Sequence, residues 1–95
     1  MSKEVPLEDP IERKDETIKA VMVNKPSAGQ LRGLKLVDVL QMDVNAMITL
    51  LPRITSPALL PDEVANLDPA DLTSLSTEVV VFLAGNSKLQ ELGQG

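Results

Sequence analysis

Four carboxylates in the second half of the chain are the residues best placed to do chemistry: Asp62, Glu63, Asp68 and Asp71. Such a group could bind a metal ion through oxygen ligands, or transfer protons as a general acid and base. Each acid also stands where the first turn of a helix favours negative charge, since Pro61 and Pro69 are typical first helical residues. We therefore interpret these acids as helix-capping residues, with a metal or acid–base site as the alternative.

A second segment, Ser27-Ala28-Gly29-Gln30-Leu31-Arg32-Gly33, superficially resembles a phosphate-binding loop. It lacks the Walker spacing with its Lys-Ser/Thr ending, and its two glycines do not form a dinucleotide fingerprint. A helix N-cap at Ser27, a short helix and a turn at Gly33 are the preferred interpretation. The chain has no Cys and no His, which removes thiolate nucleophiles, zinc sites of the usual kind and the usual general base. The sequence predicts neither an enzyme nor a cofactor.

An N-terminal β-hairpin is predicted from alternating apolar residues on either side of a charged turn. Residues 1–4 are expected to fray, and Pro6 and Pro10 confine the first strand to an edge because proline donates no ladder hydrogen bond. In the second strand, Ile18, Ala20 and Met22 fall on one face, and Thr17, Lys19, Val21 and Val23 on the other. A lone hairpin is only marginally stable in water, so it must pack on helices or on another chain.

Helices are predicted for most of the remaining chain. Asp43 is a candidate N-cap for a helix with the apolar stripe Val44, Met47, Ile48 and Leu51, which should stop at Pro52. Residues 55–60 are expected to form a loop, and Pro61 to begin a short helix. A longer helix over about 69–85 follows, capped by Asp68, with its apolar stripe opposite Thr73, Ser74, Ser76, Thr77 and Glu78. The predicted fold class is α+β: an N-terminal β-hairpin packed on a cluster of three to five short helices in one small domain, 1–95, ordered over about 5–86 with a flexible tail at 87–95.

Composition narrows the classes of function. The chain carries a net charge of −5, has no Trp or Tyr, and has Phe82 as its single aromatic residue. An acidic surface without stacking aromatics argues against binding to nucleic acid, and the same charge argues against anionic membranes. No signal peptide or membrane-spanning run is recognised, so a cytoplasmic protein is expected.

The chain has more apolar residues than one buried stripe per helix or strand requires. This excess predicts contact with a partner protein. Val80 and Val81 widen the apolar face of the last helix, and exposed apolar patches mark partner sites more often than catalytic ones. Arg53 has two interpretations, since it suits a helix C-terminus and Arg is also enriched at interfaces. A helical partner segment could lie in a groove between helices or pair with the hairpin edge. The candidate contact residues are Met47, Leu51, Arg53, Val80 and Phe82.

The order of three segments adds a resemblance to a known family: Lys25-Pro26-Ser27-Ala28-Gly29-Gln30-Leu31-Arg32-Gly33-Leu34, then the stretch from Asp43 to Pro57, then Leu67-Asp68-Pro69-Ala70-Asp71-Leu72. Over roughly residues 7–84 the chain resembles the small tail assembly chaperones of contractile-tailed, Mu-like phages. None of the motifs is chemically specific alone, and their order and spacing carry the resemblance.

The resemblance implies a non-catalytic protein that keeps the long, helical tape measure protein soluble during tail assembly. It further implies a second, longer product, made by a programmed frameshift and sharing the N-terminal domain, with divergence expected after residue 86. Host cytoplasm is the implied location, and the mature virion is not. The alternative is a structural tail or baseplate component retained in the virion. A small enzyme or metal-dependent hydrolase is the third hypothesis, and homo-oligomer formation is left open.

Overall fold

The computed structural model describes residues 1–85 of the 95-residue chain. The predicted flexible tail at 87–95 lies outside the described residues. The order of elements is β1 (Ser2–Glu12), β2 (Thr17–Asn24), a 3₁₀ helix (Ala28–Leu31), α1 (Leu36–Leu40), α2 (Val44–Ile54), β3 (Thr55–Ser56), α3 (Pro61–Ala65) and α4 (Pro69–Ala84). The three strands form one antiparallel sheet in the order β1-β2-β3. The predicted α+β class and the hairpin on short helices are confirmed.

The hairpin extends further toward the N-terminus than predicted. Ser2 pairs with Asn24, and the Ser2 hydroxyl donates to the Asn24 side-chain oxygen at 2.7 Å. The backbone N–H of Lys25 also donates to the carbonyl of Met1 at 2.9 Å. The expectation that residues 1–4 fray is therefore wrong, because both strands continue to pair up to the chain start.

The predicted faces of β2 are correct for only part of the strand. Ile18 is buried, and so are Val21 and Val23, although strict alternation places Ile18 on the opposite face. The reason is a break in register: Pro6 pairs with Ala20, whereas Ile11 pairs with Ile18, so Leu7 to Pro10 have only Lys19 opposite them. Such a bulge changes the twist locally and re-aims the side chains on either side of it.

A purely aliphatic core lies between the sheet and the helices. Its fully buried large side chains come from β2, α1, α2, the loop before α3, α3 and α4: Val21, Val23, Val39, Met47, Leu50, Leu51, Ile54, Leu59, Val64, Leu75 and Val79. Ser76, predicted on the polar face of α4, is also buried, and its hydroxyl has no hydrogen-bond partner within residues 1–85. The helix therefore buries a wider face than its apolar stripe predicted.

Helix α2 does not stop at Pro52. It continues through Ile54, with Pro52 inside its last turn. Proline at this point removes one hydrogen bond, the one its own N–H would donate to the carbonyl of Ile48. Burial of Ile54 in the core compensates for that loss. The strand β3 follows at once and pairs Thr55 with Val23, in a segment predicted as loop.

The predicted helix starts are confirmed. The Asp43 carboxylate accepts the N–H of Ala46 at 2.9 Å, and the Asp68 carboxylate accepts that of Ala70 at 2.8 Å. Ser27 caps the 3₁₀ helix through a reciprocal capping box with Gln30. Pro61 begins α3, and α4 ends before Gly85, whose φ of 74° favours glycine. No helix within residues 1–85 is long and apolar enough to cross a membrane.

Candidate partner-binding site

The four carboxylates do not converge on one site. Asp68 caps α4, Asp62 lies in the first turn of α3, and Glu63 reaches back to accept the N–H of Leu60 at 2.9 Å. Within residues 1–85, no group of three or more acids is arranged to hold a metal ion. The capping interpretation is thus confirmed for Asp68, and Glu63 has a capping role together with a second contact.

Asp71 has a role that local sequence did not reveal. It lies in the first turn of α4 but is only 1% exposed, and its carboxylate accepts the backbone N–H of Glu8 at 2.7 Å and of Asp9 at 3.0 Å. Those donors belong to the bulge of β1, which the register break leaves without partners on β2. The first-turn position of Asp71 is as predicted, but its carboxylate accepts hydrogen bonds from the hairpin and none from its own helix. The side chain connects α4 to the hairpin.

Arg13 and Glu63 form a second connection between distant elements. Nε and one terminal nitrogen of Arg13 each lie 2.8 Å from a different Glu63 oxygen, and the same terminal nitrogen donates to the Ala58 carbonyl at 2.8 Å. The hydrogen bond from Arg13 holds the pKa of Glu63 below its ordinary value of 4.5. The pair ties the hairpin turn to α3, and it was not predicted.

Arg53 contributes to the fold of its own chain. One terminal nitrogen donates to the carbonyl of Gln30 at 2.8 Å and to that of Arg32 at 2.9 Å, and the Gln30 amide donates back to the Arg53 carbonyl at 3.2 Å. Arg53 lies in the last turn of α2, as predicted, and its hydrogen bonds stabilise the end of the 3₁₀ helix. The residue as a whole is exposed.

The other predicted contact residues fall into two groups. Met47 and Leu51 are 0% exposed, so they cannot touch a partner in this conformation, and that part of the prediction is corrected. Their helical stripe turns inward because Leu50 and Ile54 share the same buried face. Val80 and Phe82 are half-buried near the end of α4 and keep accessible surface. The structure thus separates the five residues instead of forming one patch.

An open groove lies beside Phe82, where the end of α4 meets the start of β1. Its volume is about 500 Å³, and it is lined by Met1, Ser2, Lys3, Lys25, Glu78, Val81, Phe82 and Gly85. We call it the α4 groove. Val81 and Phe82 supply apolar surface, while Lys3 and Lys25 place positive charge on an otherwise acidic protein. A smaller cleft of about 280 Å³ between β1 and α3 includes Glu63, which Arg13 already engages.

A second apolar surface was missed from the sequence. Leu36, Val37, Leu40 and Val44 are each about half exposed, within nine consecutive residues. We call them the α1 face. Their helical spacing is present in the sequence, but spacing alone does not show whether an apolar stripe is buried in the core or exposed. The sequence predicts Val44 on the inward stripe of α2, but Ala46 takes the buried position and Val44 is exposed.

Comparison with known proteins places this chain in a family. A family model described as phage tail assembly chaperone proteins, E, or 41 or 14, matches residues 4–84. The chain belongs to this family. Membership confirms the resemblance inferred from the sequence and establishes a role in phage tail assembly. The polar side chains of Asp71, Arg13 and Arg53 contribute to the fold.

Two relatives of this tail assembly chaperone come from Escherichia phage P2. Tail assembly protein E is 45% identical over 89 residues, which cover 92% of this chain and 98% of that protein. Tail assembly protein E′ is 45% identical over 85 residues, which cover 87% of this chain but only 60% of the longer relative. No solved structure matches the chain at a significant level.

Proposed function

We propose that this protein is a non-catalytic tail assembly chaperone that binds the tape measure protein while the tail is built. Family membership supports the assembly role, and the α4 groove is the observation that favours binding of a protein segment. The lining of the groove combines the apolar residues Val81 and Phe82 with the charged residues Lys3, Lys25 and Glu78, which suits an amphipathic helix.

Phe82 is the residue expected to contribute most to binding in the groove. It is the single aromatic residue of the chain, and aromatic side chains are enriched among the residues that carry binding energy. Val81 precedes it and also lines the groove, and the half-buried Val80 lies two positions before it on α4. Lys3 and Lys25 would favour partner segments with acidic residues flanking their apolar stripe.

The relatives E and E′ support a second part of the proposal. Both match this chain at 45% identity, but E′ is much longer than the region it shares. We propose that a longer product sharing the N-terminal domain, made by a programmed frameshift, accompanies this chain as well. Both products would act in the host cytoplasm and be absent from the mature virion. Mass spectrometry of cells making the phage should detect peptides from both products.

Co-expression with the tape measure protein of the same phage tests the binding. The complex should survive size exclusion at high salt, because contacts in an apolar groove are screened little by ions. Val81→Glu should abolish co-elution, whereas Ser74→Glu, which adds the same charge at an exposed position on the same helix, should not. Equal binding by wild type and Val81→Glu would refute the α4 groove as the binding site. No complex at any salt concentration would refute tape measure binding.

A protein inventory of purified particles distinguishes the remaining alternative. A chaperone should be absent from finished virions, whereas a tail or baseplate component should be present at a fixed ratio to the tube protein. Detection at such a ratio would replace the proposed function with the structural one.

A further inference from the structure

The α4 groove lies at the point where residues 86–95 join the described part of the chain. Gly85 is the last described residue, and it is also one of the residues that line the groove. The segment 86–95 is therefore attached at the wall of the groove. Its local concentration there is high whatever the concentration of the protein, which makes it the first candidate occupant.

The backbone of Gly85 turns the chain away from the axis of α4. Its φ of 74° and ψ of 150° are not helical, so the helix cannot continue straight through this residue. The N–H of Gly85 donates to the carbonyl of Val81 at 3.0 Å, which holds the turn against a residue of the groove lining. The chain thus leaves α4 beside the groove rather than along the helix axis.

The side chains of residues 86–95 match the groove lining in chemistry. Leu89 and Leu92 are three positions apart, a spacing that places two apolar side chains on one face of a helical turn. Glu91 lies between them in the sequence, and Lys88 precedes them. The lining offers three apolar side chains, two lysines and one glutamate. The apolar and charged groups of the segment therefore each have a counterpart in the groove.

We propose that residues 88–92 occupy the α4 groove of their own chain until the tape measure protein displaces them. The proposal rests on the proposed function of the groove and adds its regulation. Leu89 and Leu92 can extend about 13 Å and 23 Å from Gly85, which exceeds the width of roughly 10 Å of a compact 500 Å³ groove. Both leucines pack on the apolar lining, while Glu91 lies toward the two lysines.

The covalent connection sets the strength of this contact. A segment with two apolar side chains binds weakly by itself, with a dissociation constant of roughly millimolar order. Its effective concentration beside the groove is also of about millimolar order, so the groove is covered in roughly half of the molecules or more. The apparent affinity for a competing partner falls with the fraction of open grooves, which corresponds to a loss of about twofold to tenfold.

Nuclear magnetic resonance of the complete chain tests the contact without any partner. Phe82 is the single aromatic residue, so its ring protons do not overlap with those of other rings. These protons should show nuclear Overhauser contacts to the methyl groups of Leu89 and Leu92. Leu89→Ser combined with Leu92→Ser should remove the contacts and shift the ring signals. Leu60→Ser is the control, since Leu60 is 59% exposed and lies outside the groove lining.

Affinity for the tape measure protein tests the competition. The double serine variant should bind about twofold to tenfold more tightly than the wild type. Glu91→Lys should also bind more tightly, with a smaller gain at high salt, because it repels the two lysines of the groove. Phe82 signals that are unchanged in the double variant overturn the proposal, and so does wild-type affinity of that variant. If no variant forms a complex, the proposed function fails, while the Phe82 signals still decide whether the chain covers its own groove.

Discussion

The buried carboxylate of Asp71 on α4 accepts the backbone N–H of Glu8, 63 residues earlier in the chain, at 2.7 Å. Its other oxygen accepts the next N–H along the same bulge. A side chain of the last helix thus replaces the hydrogen-bond partners that the break in the β1–β2 register removes. The position of α4 on the sheet depends on this contact.

Asp71→Ala should therefore destabilise the fold strongly. Two backbone donors would lose a charged acceptor, at a cost of about 1–3 kcal/mol. Asp71→Asn should fall between alanine and the wild type, because its amide retains one acceptor oxygen. Urea unfolding followed by circular dichroism measures the effect. The control is Asp62→Asn, an exposed acid of α3, which should change stability by less than about 0.5 kcal/mol.

The pair of Arg13 and Glu63 predicts a dependence of stability on pH. The pKa of Glu63 is lowered in the folded protein, so its contribution is fully present above the unfolded value of 4.5. That contribution is lost as the pH falls through the lower, folded pKa. Glu63→Gln should consequently lower Tm at pH 7, and the gap from the wild type should close under strongly acidic conditions.

Glu16→Gln serves as the control for this prediction. Glu16 also approaches Arg13, at 3.9 Å, but its side chain is 58% exposed and forms the weaker ion pair. Its Tm curve should follow that of the wild type at every pH. A gap for Glu63→Gln that stays constant down to acid pH would contradict the assigned role.

Substitutions at Met47 and Leu51 should show whether these two predicted contact residues act in folding or in partner binding. Met47→Ala and Leu51→Ala each leave a cavity, which costs about 2–5 kcal/mol. Small domains have few kcal/mol to lose, so partial unfolding is expected, and loss of binding should track loss of fold. Thermal unfolding and co-elution measured on the same samples check this. Loss of the partner by a Leu51→Ala variant with wild-type Tm would contradict burial of that side chain.

Arg53→Ala should lower stability modestly and leave partner binding intact. The substitution removes two hydrogen bonds to the carbonyls of Gln30 and Arg32, at an exposed site where about 0.5–1.5 kcal/mol is expected. Pull-down with the tape measure protein and urea unfolding give the two readouts. Wild-type stability combined with lost binding would support the interface role instead.

The parts of the fold that depend on neighbouring residues were predictable from the sequence. Asp43, Asp68 and Ser27 cap helices through residues two or three positions away, so residue type and spacing were sufficient. The family resemblance came from the order of these same segments. The α+β class followed because the hairpin and the helices have different apolar periods.

The remainder depends on contacts between distant residues. Arg13 and Glu63 are 50 positions apart, and nothing near either residue indicates the other. Packing against the sheet and α3 determines which face of α2 is buried. Val44 is therefore exposed and Ala46 is buried. The same uncertainty led to Met47 and Leu51 being assigned to the surface. Apolar periodicity locates a stripe, but the packed structure decides its orientation.

The bulge in β1 has a consequence for how copies of this protein coexist at high concentration. Between Pro6 and Pro10, the two prolines have no N–H, and the N–H groups of Glu8 and Asp9 are held by Asp71. A foreign strand needs a continuous ladder of donors to extend a sheet. The middle of β1 cannot supply one, and this part of the edge is thereby protected from acting as a template for amyloid-like stacking.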